Sequence, residues 1–142
     1  MTAETNLVFL DTNILLYAHD LSAVGKEEIA KNLIRDCWQS EKGCLSIQVL
    51  QEFFVNATRK IPKPIAYDTA KEIIADLSQW RVHTPVAADV LQAIDLHERY
   101  QISFWDALII QSAEVLGCET VFSEDLNPGQ VYGSVRVQNP FA

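Results

Sequence analysis

The chain has 142 residues, 49% of them hydrophobic, and a formal net charge of −8. This length and composition fit a folded domain with its own core, and they exclude an intrinsically disordered chain. The negative charge argues against a generic nucleic-acid binder, because neutralising phosphates normally needs a basic face.

No repeat, low-complexity tract or flexible linker divides the sequence, so we expect one domain over residues 1–142 with its core at about 7–138. No apolar stretch approaches the length of a membrane span, and the polar residues 1–6 show no secretory signal. Three cysteines without C-x-x-C spacing favour reduced core thiols over a zinc site or disulfides. They are Cys37, Cys44 and Cys118. We therefore expect a cytoplasmic protein without a membrane partner.

The first half of the chain predicts two strands and three helices, at 7–10, 13–18, 26–40, 44–47 and 48–60. The first strand is a short continuous apolar run, typical of a strand covered on both faces. The helix over 26–40 has helical periodicity. Its expected apolar side carries Ile29, Leu33, Ile34 and Cys37. The helix over 48–60 ends near Pro62, because proline disfavours helical geometry in the residue before it.

The second half predicts helices at 65–79, 86–100 and 104–116 and strands at 80–82, 119–122 and 135–137. The helix over 104–116 is almost wholly apolar and stops at Gly117, a typical residue at a helix C-terminus. Short strands that alternate with helices indicate an α/β domain, with a short and mostly parallel central sheet flanked by helices.

Four acidic residues stand beside apolar segments, where an unpaired carboxylate is costly to bury. They are Asp11, Glu52, Asp106 and Asp125. If the fold brings them together, a cluster of carboxylates without equal cationic partners needs a divalent metal ion. A metal-dependent enzyme that cleaves phosphodiester bonds is the leading hypothesis.

Two of the acids follow predicted strands. Asp11 comes at the carboxyl end of the first strand, where ligands bind in open parallel sheets, but Asp is also a preferred helix N-cap. Asp125 comes just after the strand over 119–122, within a segment whose composition is equally typical of a turn. Each residue alone therefore has a structural interpretation.

The other two acids lie on predicted helices. Asp106 and Ser103 match a capping box, yet Asp106 also falls on the apolar side of its helix. No Lys or Arg occurs between Arg99 and Arg136 to neutralise it. Glu52 belongs to a polar stripe, which is typical of a solvent-exposed face. The stripe comprises Glu52, Asn56 and Arg59.

Four segments in order resemble the PIN domain, and more narrowly the ribonuclease toxins of bacterial VapC-type toxin–antitoxin modules. They are residues 8–13 (VFLDTN), the helix that carries Glu52, residues 104–109 (FWDALI) and residues 122–126 (FSEDL). Ser123 stands where the family commonly has threonine, and it keeps the hydroxyl. The resemblance covers nearly the whole chain.

The resemblance implies a metal-dependent endoribonuclease that hydrolyses RNA phosphodiester bonds by a metal-activated water. The implied catalytic and metal-binding residues are Asp11, Glu52, Asp106 and Asp125, with Thr12, Asn13 and Ser123 in support. Hard oxygen ligands suit Mg²⁺ or Mn²⁺. The implied partners are an RNA substrate, a cognate antitoxin and a second copy of the chain in a homodimer.

Secondary features admit two interpretations. The compact basic cluster of Arg59, Lys60 and Lys63 either contacts RNA phosphates or only complements a helix C-terminus. Tryptophans with apolar neighbours are expected in the core and not as base-stacking platforms. They are Trp38, Trp80 and Trp105.

Other functional classes also fit parts of this sequence. Acid–base RNA cleavage by His19, His83 and His97 is disfavoured, because nothing in the sequence places two of them together. A haloacid dehalogenase-type phosphatase needs a second acid two residues after Asp11, where this chain has Asn13. An inactive PIN-like module that binds RNA or protein, and a housekeeping PIN nuclease outside any toxin module, stay open as alternatives.

Overall fold

The structure, a computed structural model, describes residues 6–142. Residues 1–5, which belong to the segment expected to carry no secretory signal, lie outside the described residues. The strands are β1 (Val8–Leu10), β2 (Gly43–Ser46), β3 (Arg81–His83), β4 (Thr120–Phe122), β5 (Val131–Tyr132) and β6 (Val135–Gln138). The helices are α1 (Thr12–Ala18), α2 (Lys26–Ser40), α3 (Ile47–Arg59), α4 (Tyr67–Leu77), α5 (Ala87–Tyr100) and α6 (Phe104–Leu116).

The six strands form one sheet in the order β3-β2-β1-β4-β6-β5. All neighbours pair in parallel except β5, which is antiparallel to β6. The predicted α/β class with a mostly parallel central sheet is therefore confirmed. The short strand β5 was not predicted, because two residues are too few to show a period of alternation.

The position of β1 decides where the sheet offers a site. The chain leaves β1 to form β2 on one side, whereas β4 pairs with β1 on the other side. Between β1 and β4 the strand order reverses, and ligands of open parallel sheets bind outside the carboxyl ends of the strands at such a point. Asp11 directly follows β1, and Ser123 directly follows β4.

Helix α6 lies against the sheet and is buried on all sides along its middle. Seven consecutive residues, 107–113, are buried, and the helix contacts β2, β3, β4 and β6. A helix that is apolar all round is expected in such a position. Its predicted bounds are confirmed: Ser103 caps the first turn, and Gly117 ends it with a φ of 82°.

Helix α2 has the predicted bounds, but one residue of its predicted apolar side is wrong. Ile29 is 40% exposed, whereas its neighbour Ala30 is fully buried. Cys37 is buried as predicted, and Ala30 lies seven residues before it on the same face. Ile29 is rotated away from this narrow contact line, since successive residues of a helix point about 100° apart.

The predictions about core residues are confirmed for the cysteines and partly wrong for the tryptophans. All three cysteines are free and buried, as predicted. The prediction for the tryptophans is wrong for Trp105, which is 61% exposed, and for Trp38, which is also exposed. Trp80 is partly buried and packs edge-on against Trp38, with ring centroids 5.4 Å apart. Among residues 6–142, no helix has both the length and the hydropathy to cross a membrane.

Candidate active site

A cavity of about 280 Å³ opens at the carboxyl edge of the sheet. All four acids predicted from the sequence line it, together with polar and apolar residues from α1, α3 and α6. The full lining is Asp11, Thr12, Asn13, Leu16, Gln48, Glu52, Asn56, Trp105, Asp106, Ile109 and Asp125. Residues from four distant segments of the chain therefore meet at one site.

Asp11 is the most buried acid of the site. It is the N-cap of α1, and its Oδ1 accepts a hydrogen bond from the backbone N–H of Thr12 at 2.7 Å. Its Oδ2 accepts from the Ser123 hydroxyl at 2.7 Å. Burial raises the pKa of Asp11 to about 6, the two hydrogen bonds oppose this rise, and the charges of Asp125 and Asp106 add to it. The cap and the site are thus the same residue.

Glu52 faces the cavity from α3 and is half-buried. Its carboxylate accepts from the Thr12 hydroxyl at 2.6 Å and from the Gln48 amide at 3.2 Å. Asn56, the next residue of the predicted polar stripe, also lines the cavity, whereas Arg59 is exposed. The stripe therefore belongs largely to the site and not to a solvent-exposed face.

Asp106 lies in the first turn of α6, and only half of the predicted capping box forms. Its backbone N–H donates to the Ser103 hydroxyl at 3.0 Å, but among the described residues the backbone N–H of Ser103 does not donate to the Asp106 carboxylate. Burial raises the pKa of Asp106, a side-chain hydrogen bond from Ser103 opposes this rise, and the charges of Asp125 and Glu52 add to it. The carboxylate lines the cavity.

Asp125 and its neighbour Glu124 have different roles. Asp125 is exposed, and its Oδ2 accepts from the Asn13 amide at 3.1 Å. Glu124 instead forms an ion pair with Lys26 and accepts from the Tyr17 hydroxyl at 2.5 Å. Burial pushes the pKa of Glu124 upward, but these two partners outweigh it and the pKa is lowered. Glu124 is thus a partnered acid outside the cavity lining.

Ser123 and Asn13 connect the acids to one another. The Ser123 hydroxyl donates to Asp11 and accepts from the backbone N–H of Asp125 at 3.1 Å. The Asn13 amide donates to Asp125, while its buried Oδ1 has no hydrogen-bond partner among the residues that the structure describes. The residues named in support of the acids therefore contact them directly.

The chemistry of the lining fits a hydrated divalent cation. Within residues 6–142, no Lys or Arg lines the cavity, and the Oδ1 of Asn13 adds a further hard oxygen. As the side chains stand, no three acidic, His or Cys groups among the described residues are close enough to hold one ion. Asp11, Glu52 and Asp125 each accept a hydrogen bond from a hydroxyl or amide donor. Mg²⁺ is compatible with this arrangement, because it keeps several waters and needs only one or two carboxylates.

A larger cavity of about 570 Å³ lies at the opposite, amino-terminal edge of the strands. Its lining is Cys37, Trp38, Glu41, Gly43, Gln79, Trp80 and Arg81. It offers a single carboxylate, that of Glu41, and the Arg81 guanidinium donates to the Glu41 carbonyl at 2.6 Å. Despite its size, this cavity lacks a set of groups for catalysis.

The histidines take no part in the acidic cavity. His83 contacts Ser112 at 2.8 Å and Asp89 at 3.1 Å, which resembles a Ser-His-Asp arrangement. Ser112 is completely buried on α6, so no substrate reaches its hydroxyl. The cluster holds β3, α5 and α6 together and is structural.

Sequence reasoning missed five lining residues, namely Leu16, Gln48, Asn56, Trp105 and Ile109. A signal existed for two of them, because Gln48, Glu52 and Asn56 are four residues apart on one face of α3. The basic cluster of Arg59, Lys60 and Lys63 is exposed at the end of this helix, directly beyond Asn56.

A family model of the PIN domain matches residues 8–133. The fold, the acidic cavity and this match define the class: the chain belongs to the PIN-domain family. The resemblance of its motifs to that family is therefore confirmed. A comparison with curated proteins found no match.

Solved structures of toxin–antitoxin proteins share the fold. VapC20 of Mycobacterium tuberculosis, a toxin that cleaves the sarcin–ricin loop, is 20% identical with a TM-score of 0.63, over 83% of this chain and 89% of its own. A toxin–antitoxin complex from Klebsiella pneumoniae is 19% identical with a TM-score of 0.68, over 94% and 98%. The DNA-bound VapBC of Salmonella typhimurium is 16% identical with a TM-score of 0.66, over 95% and 98%. At these identities the likeness establishes the fold alone.

Proposed function

We propose that this protein is a divalent-metal-dependent endoribonuclease and the toxin of a toxin–antitoxin pair. One observation carries the nuclease hypothesis: four carboxylates from distant segments line one cavity, and no Lys or Arg of the described part of the chain lines it. Burial raises the pKa values of Asp11 and Asp106, so the fold maintains an unfavourable charge cluster. Such a cluster is typical of a functional site.

Mg²⁺ or Mn²⁺ would be held by Asp11, Glu52, Asp106 and Asp125, directly by one or two of them and through its waters by the others, and Asn13 would add an amide oxygen. Such an ion supplies Lewis-acid stabilisation of charge on a phosphate and a water of lowered pKa for hydrolysis. The chain itself orients the carboxylates. Ser123 and the Thr12 N–H orient Asp11, and the Thr12 hydroxyl orients Glu52.

The acidic lining also limits how the RNA approaches. The carboxylates repel phosphate, and a bound divalent ion would neutralise part of this charge beside an incoming phosphodiester. The exposed cluster of Arg59, Lys60 and Lys63 lies beyond the cavity along α3, where it would contact phosphates outside the site. This division keeps the attractive cations away from the carboxylates.

The toxin role is supported by the shared fold with a VapC toxin and with toxin–antitoxin complexes. We further propose that residues 1–142 act as one domain, since the core cluster runs from Leu7 to Val137. A cognate antitoxin would be the regulatory partner, and a second copy of the chain would complete a homodimer. The cytoplasm, where RNA is available, is the proposed location.

The test is RNA cleavage by the purified full chain with Mg²⁺ or Mn²⁺ and with EDTA. Asp106→Asn should abolish metal-dependent cleavage, since it removes a carboxylate of the cavity without changing its size. Glu124→Gln is the matched control, because Glu124 is an acid outside the lining, and this variant should keep most of the activity. Both variants should keep the wild-type circular dichroism spectrum.

Two results would contradict the proposal. If Asp106→Asn cleaved RNA at the wild-type rate, the carboxylates of the cavity would have no part in the reaction. A wild-type chain that binds RNA but never cleaves it with either metal would favour the alternative of an inactive binding module. The toxin role additionally predicts that the product of a neighbouring reading frame forms a complex with the chain and suppresses cleavage.

A further inference from the structure

Trp105 has an unusual position for an exposed tryptophan. It is 61% exposed, lines the acidic cavity, and directly precedes Asp106. The ring of Phe104 packs edge-on against it, with ring centroids 5.1 Å apart. A single exposed apolar residue needs no explanation by itself. Here, however, a large flat ring stands at the mouth of a site for phosphodiester chemistry.

Gln48 gives a second, independent observation at the same place. It is only 8% exposed, and its Nε2 donates to the Trp105 carbonyl and to Glu52 Oε2, both at 3.2 Å. Both partners are acceptors, so the amide nitrogen has to face them and the orientation of the amide is settled. Among the described residues, the buried Oε1 is then left without a partner. Gln48 lines the cavity, so this unpaired acceptor belongs to the cavity wall.

The charge distribution shows why the site needs such groups. The net charge is −8, and the cavity walls are acidic, so phosphate attraction contributes little near the site. Stacking of a base on an aromatic ring is independent of charge and tolerates any base, because every base has a π-face. The amide acceptor of Gln48 suits the N–H groups on the edge of a base and not a phosphate.

We propose that the Trp105 indole is a stacking platform for one unpaired nucleobase beside the scissile bond of the RNA. The substrate is therefore single-stranded at that position, since a base within a duplex has no free face. This inference rests on the proposed nuclease function, whose site it extends. A protein partner of the same indole is the competing explanation that the test has to separate.

The first measurement is binding of a short single-stranded RNA by the full chain in EDTA, which prevents cleavage. Binding is followed by the anisotropy of a dye-labelled RNA, and quenching of tryptophan fluorescence is a second readout for wild type. Trp105→Ala should weaken binding by about 5- to 100-fold, and Trp105→Phe should keep most of it. Trp38→Ala is the matched control, because Trp38 is another exposed tryptophan that lines the cavity at the opposite edge. This control should bind like wild type.

The second measurement replaces each base of the RNA in turn with an abasic site. At one position the loss of the base should weaken wild-type binding and leave Trp105→Ala unaffected, so that the two proteins bind equally. Equal binding by wild type and Trp105→Ala on the intact RNA would overturn the inference. The inference would also be overturned if the loss of a base weakened wild-type binding equally at every position of the RNA. A change in oligomeric state of Trp105→Ala with unchanged RNA binding would assign the indole to a protein contact.

Failure of the inference and failure of the proposed function remain distinguishable. If the chain is not a nuclease, cleavage is absent with Mg²⁺, whereas quenching and its dependence on one base are still measured in EDTA. If only the inference is wrong, wild type and Trp105→Ala cleave RNA with the same KM and the same kcat.

Discussion

Asp11 combines two roles that the sequence presents as alternatives, a helix cap and a member of the acidic site. One oxygen caps α1 through the Thr12 N–H, and the other accepts from Ser123. Both bonds lie inside the protein, so the charge of this carboxylate is poorly hydrated. Burial therefore raises its pKa to about 6, and folding without a metal ion keeps the acid partly protonated near neutral pH.

Asp11→Asn should stabilise the metal-free protein at pH 7 to 8. Between pH about 4 and 6 the folded chain keeps a proton that the unfolded chain has lost, so stability falls as the pH rises through this window. Ionisation of Asp11 over this range lowers the free energy of unfolding by about 3 kcal/mol. The amide of Asp11→Asn does not ionise, so the variant does not lose this stability. Urea denaturation of both proteins in EDTA, at pH 4 and at pH 8, measures this difference.

Asp36→Asn is the matched control for this prediction, since Asp36 is an exposed acid on α2 outside the cavity. It should follow the wild-type stability at both pH values. If Asp11→Asn were no more stable than wild type at pH 8, burial of the Asp11 carboxylate would not destabilise the folded protein, and the prediction would be contradicted.

At the scale of residues, the sequence indicated the acids but not the bonds that hold them. Asp11 and Asp125 were predictable because each follows a strand of a parallel sheet. The bond between the Thr12 hydroxyl and Glu52 joins residues forty positions apart, and no local pattern encodes such a contact. The exposure of Trp105 was likewise hidden, because its apolar neighbours Phe104 and Ala107 predict burial.

At the scale of elements, α6 presents Asp106 from a helix end that is fixed by its cap. Ser103→Ala should lower the free energy of unfolding by about 1 kcal/mol, because the N–H of Asp106 loses the hydroxyl that accepts its bond. RNA cleavage should also fall, since the first turn holds the carboxylate. The midpoint of urea unfolding and the cleavage rate measure the two effects.

Ser103→Thr is the control, because it keeps a hydroxyl at the cap and should be close to wild type in both measurements. Wild-type stability of Ser103→Ala would show that the bond contributes nothing to the start of α6.

Elements with strong local signals were predictable to the residue. Helices α2 and α6 have their predicted bounds, and Ser103 and Gly117 mark the two ends of α6. Strand β5 was not predictable, because its two residues are ordered only by pairing with β6. The buried face of α2 was predicted only to within one residue, because a surface helix with a narrow apolar stripe can rotate slightly about its axis.

At the scale of the whole molecule, the chain carries a net charge of −8, whereas the proposed RNA substrate is a polyanion. The double variant Arg59→Gln, Lys60→Gln should weaken RNA binding and reduce the slope of log affinity against log salt. Each phosphate contact with single-stranded nucleic acid contributes about 0.7 to that slope. Binding measured at several salt concentrations gives the slope.

Lys42→Gln serves as the control for the salt series, since Lys42 directly precedes β2 at the opposite edge of the sheet. Its slope should equal that of wild type. An unchanged slope in the double variant would show that Arg59 and Lys60 do not contact phosphates and only complement the C-terminus of α3.

The central claim is that Asp11, Glu52, Asp106 and Asp125 hold a divalent cation in one cavity. Anomalous diffraction at the manganese edge, from crystals of the full chain soaked in MnCl₂, tests it most directly. We predict an anomalous peak inside the acid-lined cavity, and its loss in crystals of Asp11→Asn. A cavity without a peak at millimolar Mn²⁺, or manganese bound only elsewhere on the molecule, would contradict the account.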